Sequence, residues 1–149
     1  MRLFLTIEAQ NCAENGLAKI LRETIEALSF VTDADSRLEE KNNYGTEFRF
    51  ISIIPSCMDD RFWMALGWKE RKQIWHQKKE ADIRLRMDYD HFINETAEKQ
   101  RLLFIYTIVK SIQVVQERSK GDFKGDLLIQ DILTTLNVSA EQLRQLEEK

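Results

Sequence analysis

Glycine and proline are scarce in this chain, five and one in 149 residues. The shortage excludes the loops that most nucleotide chemistry requires: there is no GxGxxG, no GxxxxGK[ST] and no GxSxG. Cysteine is almost as rare. Cys12 and Cys57 lie far apart without CxxC spacing, so neither a zinc ribbon nor a disulfide framework is indicated, and reduced thiols are expected. The two histidines, His76 and His91, stand fifteen residues apart without an HExxH partner, and this speaks against a metal centre. Long apolar runs are also missing. No segment approaches the roughly 18 apolar residues of a membrane span. The opening MRLFLTIE has one base and meets Glu8 too soon for a signal peptide. The expectation is one cytoplasmic domain over residues 1–149, with no cofactor, no metal, no catalytic residue and no membrane partner.

What remains is a hydrophobic fraction of 43% and a charged fraction of 32%, the make-up of an element-rich globule able to bury its own core. Charge is unevenly spread. Residues 1–60 carry 11 acids against 6 bases, residues 61–120 carry 13 bases against 8 acids, and residues 121–149 carry 6 acids against 3 bases. All three tryptophans, Trp63, Trp68 and Trp75, fall in the basic middle beside Arg61, Lys69, Arg71, Lys72, Lys78 and Lys79. Trp and Arg are the side chains most enriched at binding hot spots, yet indoles also build cores, and composition leaves both roles open.

Periodicity predicts the elements. Leu3, Leu5 and Ile7 alternate as a strand. Leu17, Ile20, Leu21, Thr24, Ile25 and Leu28 make a helical stripe that Asn11 or Asn15 is placed to cap. From Val31 to Asn43 the chain is polar and acidic and reads as a long loop. A second strand is predicted over Tyr44–Ile54, with Ile51 and Ile53 on one face and Phe48, Phe50 and Ile54 on the other, stopped by Pro55. Residues 68–76 and 81–89 read as a hairpin turning around Gln77–Glu80. A long helix from Asn94 or Glu95 to about Arg118 carries Leu102, Ile105, Tyr106, Val109, Ile112 and Val115. Leu85 and Val109 are predicted buried where that helix meets the last strand. Gly125 or Asp126 starts a further helix, and Ser139 with Gln142 forms a capping box for a last one. The predicted fold is α+β: about four mainly antiparallel strands packed on helices, in the order β-α-β-β-β-α-α-α.

Carboxylate pairs occur at Asp33/Asp35, Glu39/Glu40 and Asp59/Asp60. Paired carboxylates can share a proton or bind Mg²⁺, but in polar loops solvation is the simpler reading. Asp82, Arg84, Arg86 and Asp88 recur at the strand period, and ion pairing among them is the simpler reading there.

The run WKERKQIWHQKKEADIRLRMDYDHF, the helix QRLLFIYTIVKSIQVV and the closing FKGDLLIQDILTTL resemble bacterial immunity proteins of polymorphic toxin systems, of the immunity protein 44 type. The resemblance covers roughly residues 65–136. Its most telling pieces are Lys69-Glu70-Arg71-Lys72, Ala81-Asp82-Ile83-Arg84-Leu85, Asp88-Tyr89, and Phe123 preceding Asp131-Ile132-Leu133. It implies a non-enzymatic inhibitor that binds the toxin domain of a cognate effector, and it supplies no catalytic residue. The resemblance also implies that many such toxins attack nucleic acids through basic surfaces, which makes acidic patches the natural complement. Asp33, Asp35, Glu39, Glu40, Asp59 and Asp60, with Trp63, are the candidate partner-binding residues. The rival reading is a small nucleic-acid-binding regulator using the Trp/Arg/Lys-rich segment 61–79. Against it stand the acidic total and the missing glycine-aromatic motifs. The oligomeric state is left open.

Overall fold

The computed structural model describes residues 1–5, 17–33, 44–56, 68–69, 74–77, 80–87, 92 and 94–147. Among them five strands form one sheet: β1 (Arg2–Leu5), β2 (Phe50–Ser56), β3 (Trp68–Lys69), β4 (Ile74–Gln77) and β5 (Glu80–Met87). β2 lies between β1 and β5 and is parallel to both, while β3 and β4 pair antiparallel with the far edge of β5. Five helices accompany the sheet: α1 (Leu17–Ala27), α2 (Ser29–Thr32), α3 (Ala97–Arg118), α4 (Gly125–Leu136) and α5 (Ala140–Glu147).

The expectation of about four mainly antiparallel strands is overturned. The described chain is mostly helical, and both pairings made by the central strand are parallel. Parallel neighbours need a crossover of a dozen or more residues. Residues 6–49 supply one between β1 and β2, and residues 57–79 supply another between β2 and β5. Successive strands were expected to pair with each other, but the second connection is long enough to set β3 and β4 beyond β5. The hairpin itself is present. β4 and β5 pair from Ile74↔Ile83 to Gln77↔Glu80, leaving two residues between them.

β3 continues the same antiparallel partner with a shifted register. From Lys69↔Arg86 to Ile74↔Ile83 the chain advances five residues on one side and three on the other. The difference of two is even, so both sets of pairings keep the same parity along β5. Trp68 and Ile74 therefore stay in phase, and Trp75, opposite Asp82, stays out of phase with them.

Pro55 does not stop β2; it pairs within it, opposite Leu85. The β1 ladder ends at Leu5↔Ile53, so among the described residues Pro55 has a neighbour on one side only. A missing N–H is tolerated in such an edge-like setting. The start of β2 is also later than the alternation suggested. Residues 44–49 form turns instead, with Gly45 at φ 89°.

The core lies on one face of the sheet. Leu3 and Leu5, Ile51 and Ile53, and Ala81 and Ile83 are all buried there, in adjacent register positions on three strands. α3 lies against β5 and β2. Every residue from Leu103 to Val109 is buried, which makes this segment the centre of the core. Thr107 and Ser111 are buried with it, and their hydroxyls donate to the carbonyls of Leu103 and Thr107, at 2.9 and 2.7 Å, so neither is unsatisfied. Val109 is buried as predicted; the side chain of Leu85 lies outside the described set.

Local signals fix the helix ends. The Thr96 hydroxyl accepts from Lys99 N at 3.2 Å and starts α3, two or three residues later than its apolar pattern suggests. Asn137 ends α4 in the left-handed region at φ 55°, with Val138 N donating to Leu133 O. The capping box at α5 is closed both ways: Gln142 N donates to Ser139 Oγ, and Ser139 N to Gln142 Oε1.

Candidate partner-binding surface

Of the seven predicted partner-binding residues, Asp33 is the one that the structure describes. Asp35, Glu39, Glu40, Asp59, Asp60 and Trp63 lie outside the described residues, as do Arg61, Arg71, Lys72, Lys78 and Lys79 of the rival reading. Asp33 follows α2 in extended conformation and is exposed; its N–H donates to Ser29 O at 3.0 Å. Asp33 thus follows a helix end that is fixed by three hydrogen bonds. Thr32 Oγ1 donates to Ile25 O and Leu28 O, and Arg2 Nε of β1 donates to Thr32 O at 3.0 Å. The helix end buries Val31 and Thr32 against the strand, so the first acid of the segment projects from a rigid base.

A second polar cluster was not anticipated. Two carboxylates from different loops each capture the other loop's backbone. Glu47 accepts from Ser119 Oγ and from the N–H groups of Lys120, Gly121 and Phe123 at 3.1 to 3.2 Å. Asp122 accepts from the N–H groups of Thr46 and Glu47 and from Thr46 Oγ1 at 2.8 to 2.9 Å. Burial by itself would raise the Glu47 carboxyl, but the bonds from Ser119, Lys120, Phe123 and Gly121 together outweigh it and hold the group below its ordinary value. The Thr46 N–H and hydroxyl, with Glu47 N–H, lower Asp122 likewise. Such carboxylates are ionised at neutral pH and already engaged by donors, so the cluster pins two loops and is poorly suited to proton transfer.

The clasp sits over apolar and polar supports. Phe48 and Phe123 meet edge to face at 5.1 Å, and Tyr44 Oη donates to Asp131 Oδ2 at 2.7 Å. Gly45 has no room for a side chain: a Cβ there would stand 2.2 Å from Asp122 O. The one sequence clue was the pair of glycines, Gly121 and Gly125, that bracket this loop. Nothing in periodicity marks a Glu and an Asp separated by 75 positions as partners.

Between α3, α4 and α5 lies a groove of about 220 Å³ lined by Val109, Lys110, Ile129, Leu133, Leu143 and Arg144. Arg144 is paired with Glu141. Among the described residues, no group of three His, Cys, Asp or Glu side chains could hold a metal ion, and no helix is long and apolar enough to cross a membrane.

The family model described as immunity protein 44 matches residues 1–138. The likeness therefore includes residues 1–64, outside the segment on which the sequence motifs rest. No curated protein and no solved structure matches the chain.

Proposed function

We propose that this chain, which belongs to the immunity protein 44 family, binds the toxin domain of a cognate effector and neutralises it by protein–protein contact alone. Family membership over nearly the whole chain carries the reading. A fold suited to it needs a rigid scaffold and a surface of complementary shape and charge rather than reactive groups. α3 through the core and the carboxylate clasp supply rigidity, and the acidic segment that begins at Asp33 supplies charge. Asp33, Asp35, Glu39, Glu40, Asp59 and Asp60, with Trp63, are proposed to face a basic surface of the toxin, of the kind that a nuclease uses to hold nucleic acid. The protein acts in the cytoplasm of the producing cell.

Co-expression with the toxin domain encoded beside its gene tests this directly. The expected result is restored growth and a one-to-one complex on size exclusion, with a total buried area on the order of 1,600 Å². Growth arrest despite expression, with both proteins eluting separately, would overturn it.

A further inference from the structure

Phe4 is 42% exposed, one of two large apolar side chains on the described surface to be so open; the other is Leu127. It lies in β1 between Leu3 and Leu5, which are buried in the core, so it stands on the opposite face of the sheet. Phe4 meets Phe50 of β2 edge to face, with ring centres 6.5 Å apart. Each ring carries a guanidinium: Arg2 Cζ lies 4.6 Å from the centre of Phe4, and Arg49 Cζ lies 5.0 Å from the centre of Phe50. The four side chains form one continuous ladder, Arg2–Phe4–Phe50–Arg49.

A single exposed Phe needs no explanation. Here, however, two cations are held over the rings in a protein of net charge −3, and neither has an ion pair among the described residues. Stacking engages the flat face of a guanidinium and leaves its N–H edge able to grip a carboxylate with two bonds. Arg2 is further fixed by the bond from Nε to Thr32 O, so little side-chain freedom remains for it to lose on binding. Aromatic residues and Arg are the types enriched at interface centres.

We infer that this ladder is a contact surface for the toxin domain itself, taking carboxylates of the toxin on Arg2 and Arg49 and an apolar side chain on Phe4. The inference rests on the proposed function and adds a location and a charge pattern to it. Thr32, to which Arg2 is tied, immediately precedes Asp33, so the ladder adjoins the start of the acidic segment. A partner spanning Asp33 and the ladder meets an acid beside two bases and two rings, and such alternation fixes orientation and rejects wrong partners. Phosphate of a nucleic acid is a poorer match, because two cations fall short of a phosphate-tracking stripe.

The test is titration of the full-length chain with the toxin domain encoded beside its gene, for the wild type, Arg49→Glu, Phe4→Ala and Leu127→Ala. Arg49 is an exposed side chain, so its reversal remains informative should Phe4→Ala fold poorly. Arg49→Glu and Phe4→Ala are expected each to weaken binding by about tenfold or more, Leu127→Ala to leave it unchanged, and thermal midpoints to stay together. Wild-type binding that survives both ladder substitutions would overturn the surface and leave the proposed function standing. Failure of the wild type to bind the toxin would overturn both. A self-associated wild type that Arg49→Glu renders monomeric, with toxin affinity intact, would assign the ladder to a second copy of the chain. Oligonucleotide binding lost on Arg49→Glu, again with toxin affinity intact, would assign it to nucleic acid, and either result overturns the inference.

Discussion

Glu47 and Asp122 tie two loops together, each carboxylate accepting hydrogen bonds from the other loop's backbone. Each is held below its ordinary value, Glu47 against the opposing effect of burial, by the hydrogen bonds that close the clasp. A carboxyl with a depressed folded-state value contributes stability that is complete above its unfolded value, near pH 4, and is lost as the pH falls through the lower folded value. Urea midpoints are therefore expected to be flat near neutrality and to drop on acidification from about pH 4 downward. In the double variant Glu47→Gln, Asp122→Asn, that acid-dependent part should shrink, although the neutral-pH midpoint is itself lower. An unaltered acid slope in the variant would show that the two groups do not hold the loops. Gly45 tests the same joint sterically. Its positive φ and the 2.2 Å approach to Asp122 O lead us to expect that Gly45→Ala costs at least about 1 kcal/mol in chemical denaturation. A loss no larger than that of an exposed alanine substitution elsewhere would argue against the close approach.

At the scale of elements, what the sequence revealed and what it concealed follow from the range of the forces concerned. Four of the five helices were legible because their signals are local: the stripe of α1, the capping box of Ser139 and Gln142, and the apolar run of α3 all lie within a few residues of one another. The short α2 was not, for Val31 and Thr32, read as the start of a loop, are its last two residues. The hairpin was legible for the same reason, since Gln77 and Glu80 are neighbours along the chain. Strand direction was not. Whether β2 pairs with β3 or with β5 depends on where the 57–79 connection carries the chain, and no residue of β2 encodes that. Pro55 misled because a proline is a breaker only where its N–H is needed. The clasp was illegible because its partners are far apart in sequence and each is individually an unremarkable surface acid. The candidate acids were named from their spacing in the sequence, and Asp33 is the one described, whereas the Arg–Phe ladder needed the parallel register of β1 and β2 to bring Arg2 and Phe4 beside Arg49 and Phe50. Ile83 tests the resulting packing. It pairs with Ile53 on one side and Ile74 on the other, and it is fully buried in the strand against which α3 lies. Ile83→Ala should cost about 2–5 kcal/mol, read as a lowered urea midpoint, and an unchanged midpoint would contradict the sheet-on-helix arrangement.

For the whole molecule the organising quantity is charge. The net value of −3 conceals acidic ends and a basic middle, and a long-range field of that kind acts first on the rate at which a partner arrives rather than on the strength of the final contact. If the acidic segment faces a basic toxin, replacing Asp33, Asp35, Glu39, Glu40, Asp59 and Asp60 with the corresponding amides should slow association by an order of magnitude or so. It should also flatten the dependence of the association rate on salt. The dissociation rate should change less, because exposed charges at the rim of an interface contribute little to holding it together. Replacing Arg71 and Lys72 with Gln should matter less than the acidic set. A nucleic-acid binder would reverse that order, with the basic substitutions removing oligonucleotide affinity and lowering its salt slope. Stopped-flow association with the toxin domain, and titration with mixed oligonucleotides, on both variant sets and at several salt concentrations, separates the two. Tight oligonucleotide binding by the wild type that disappears with Arg71 and Lys72 would defeat the assignment of these acidic residues to toxin recognition.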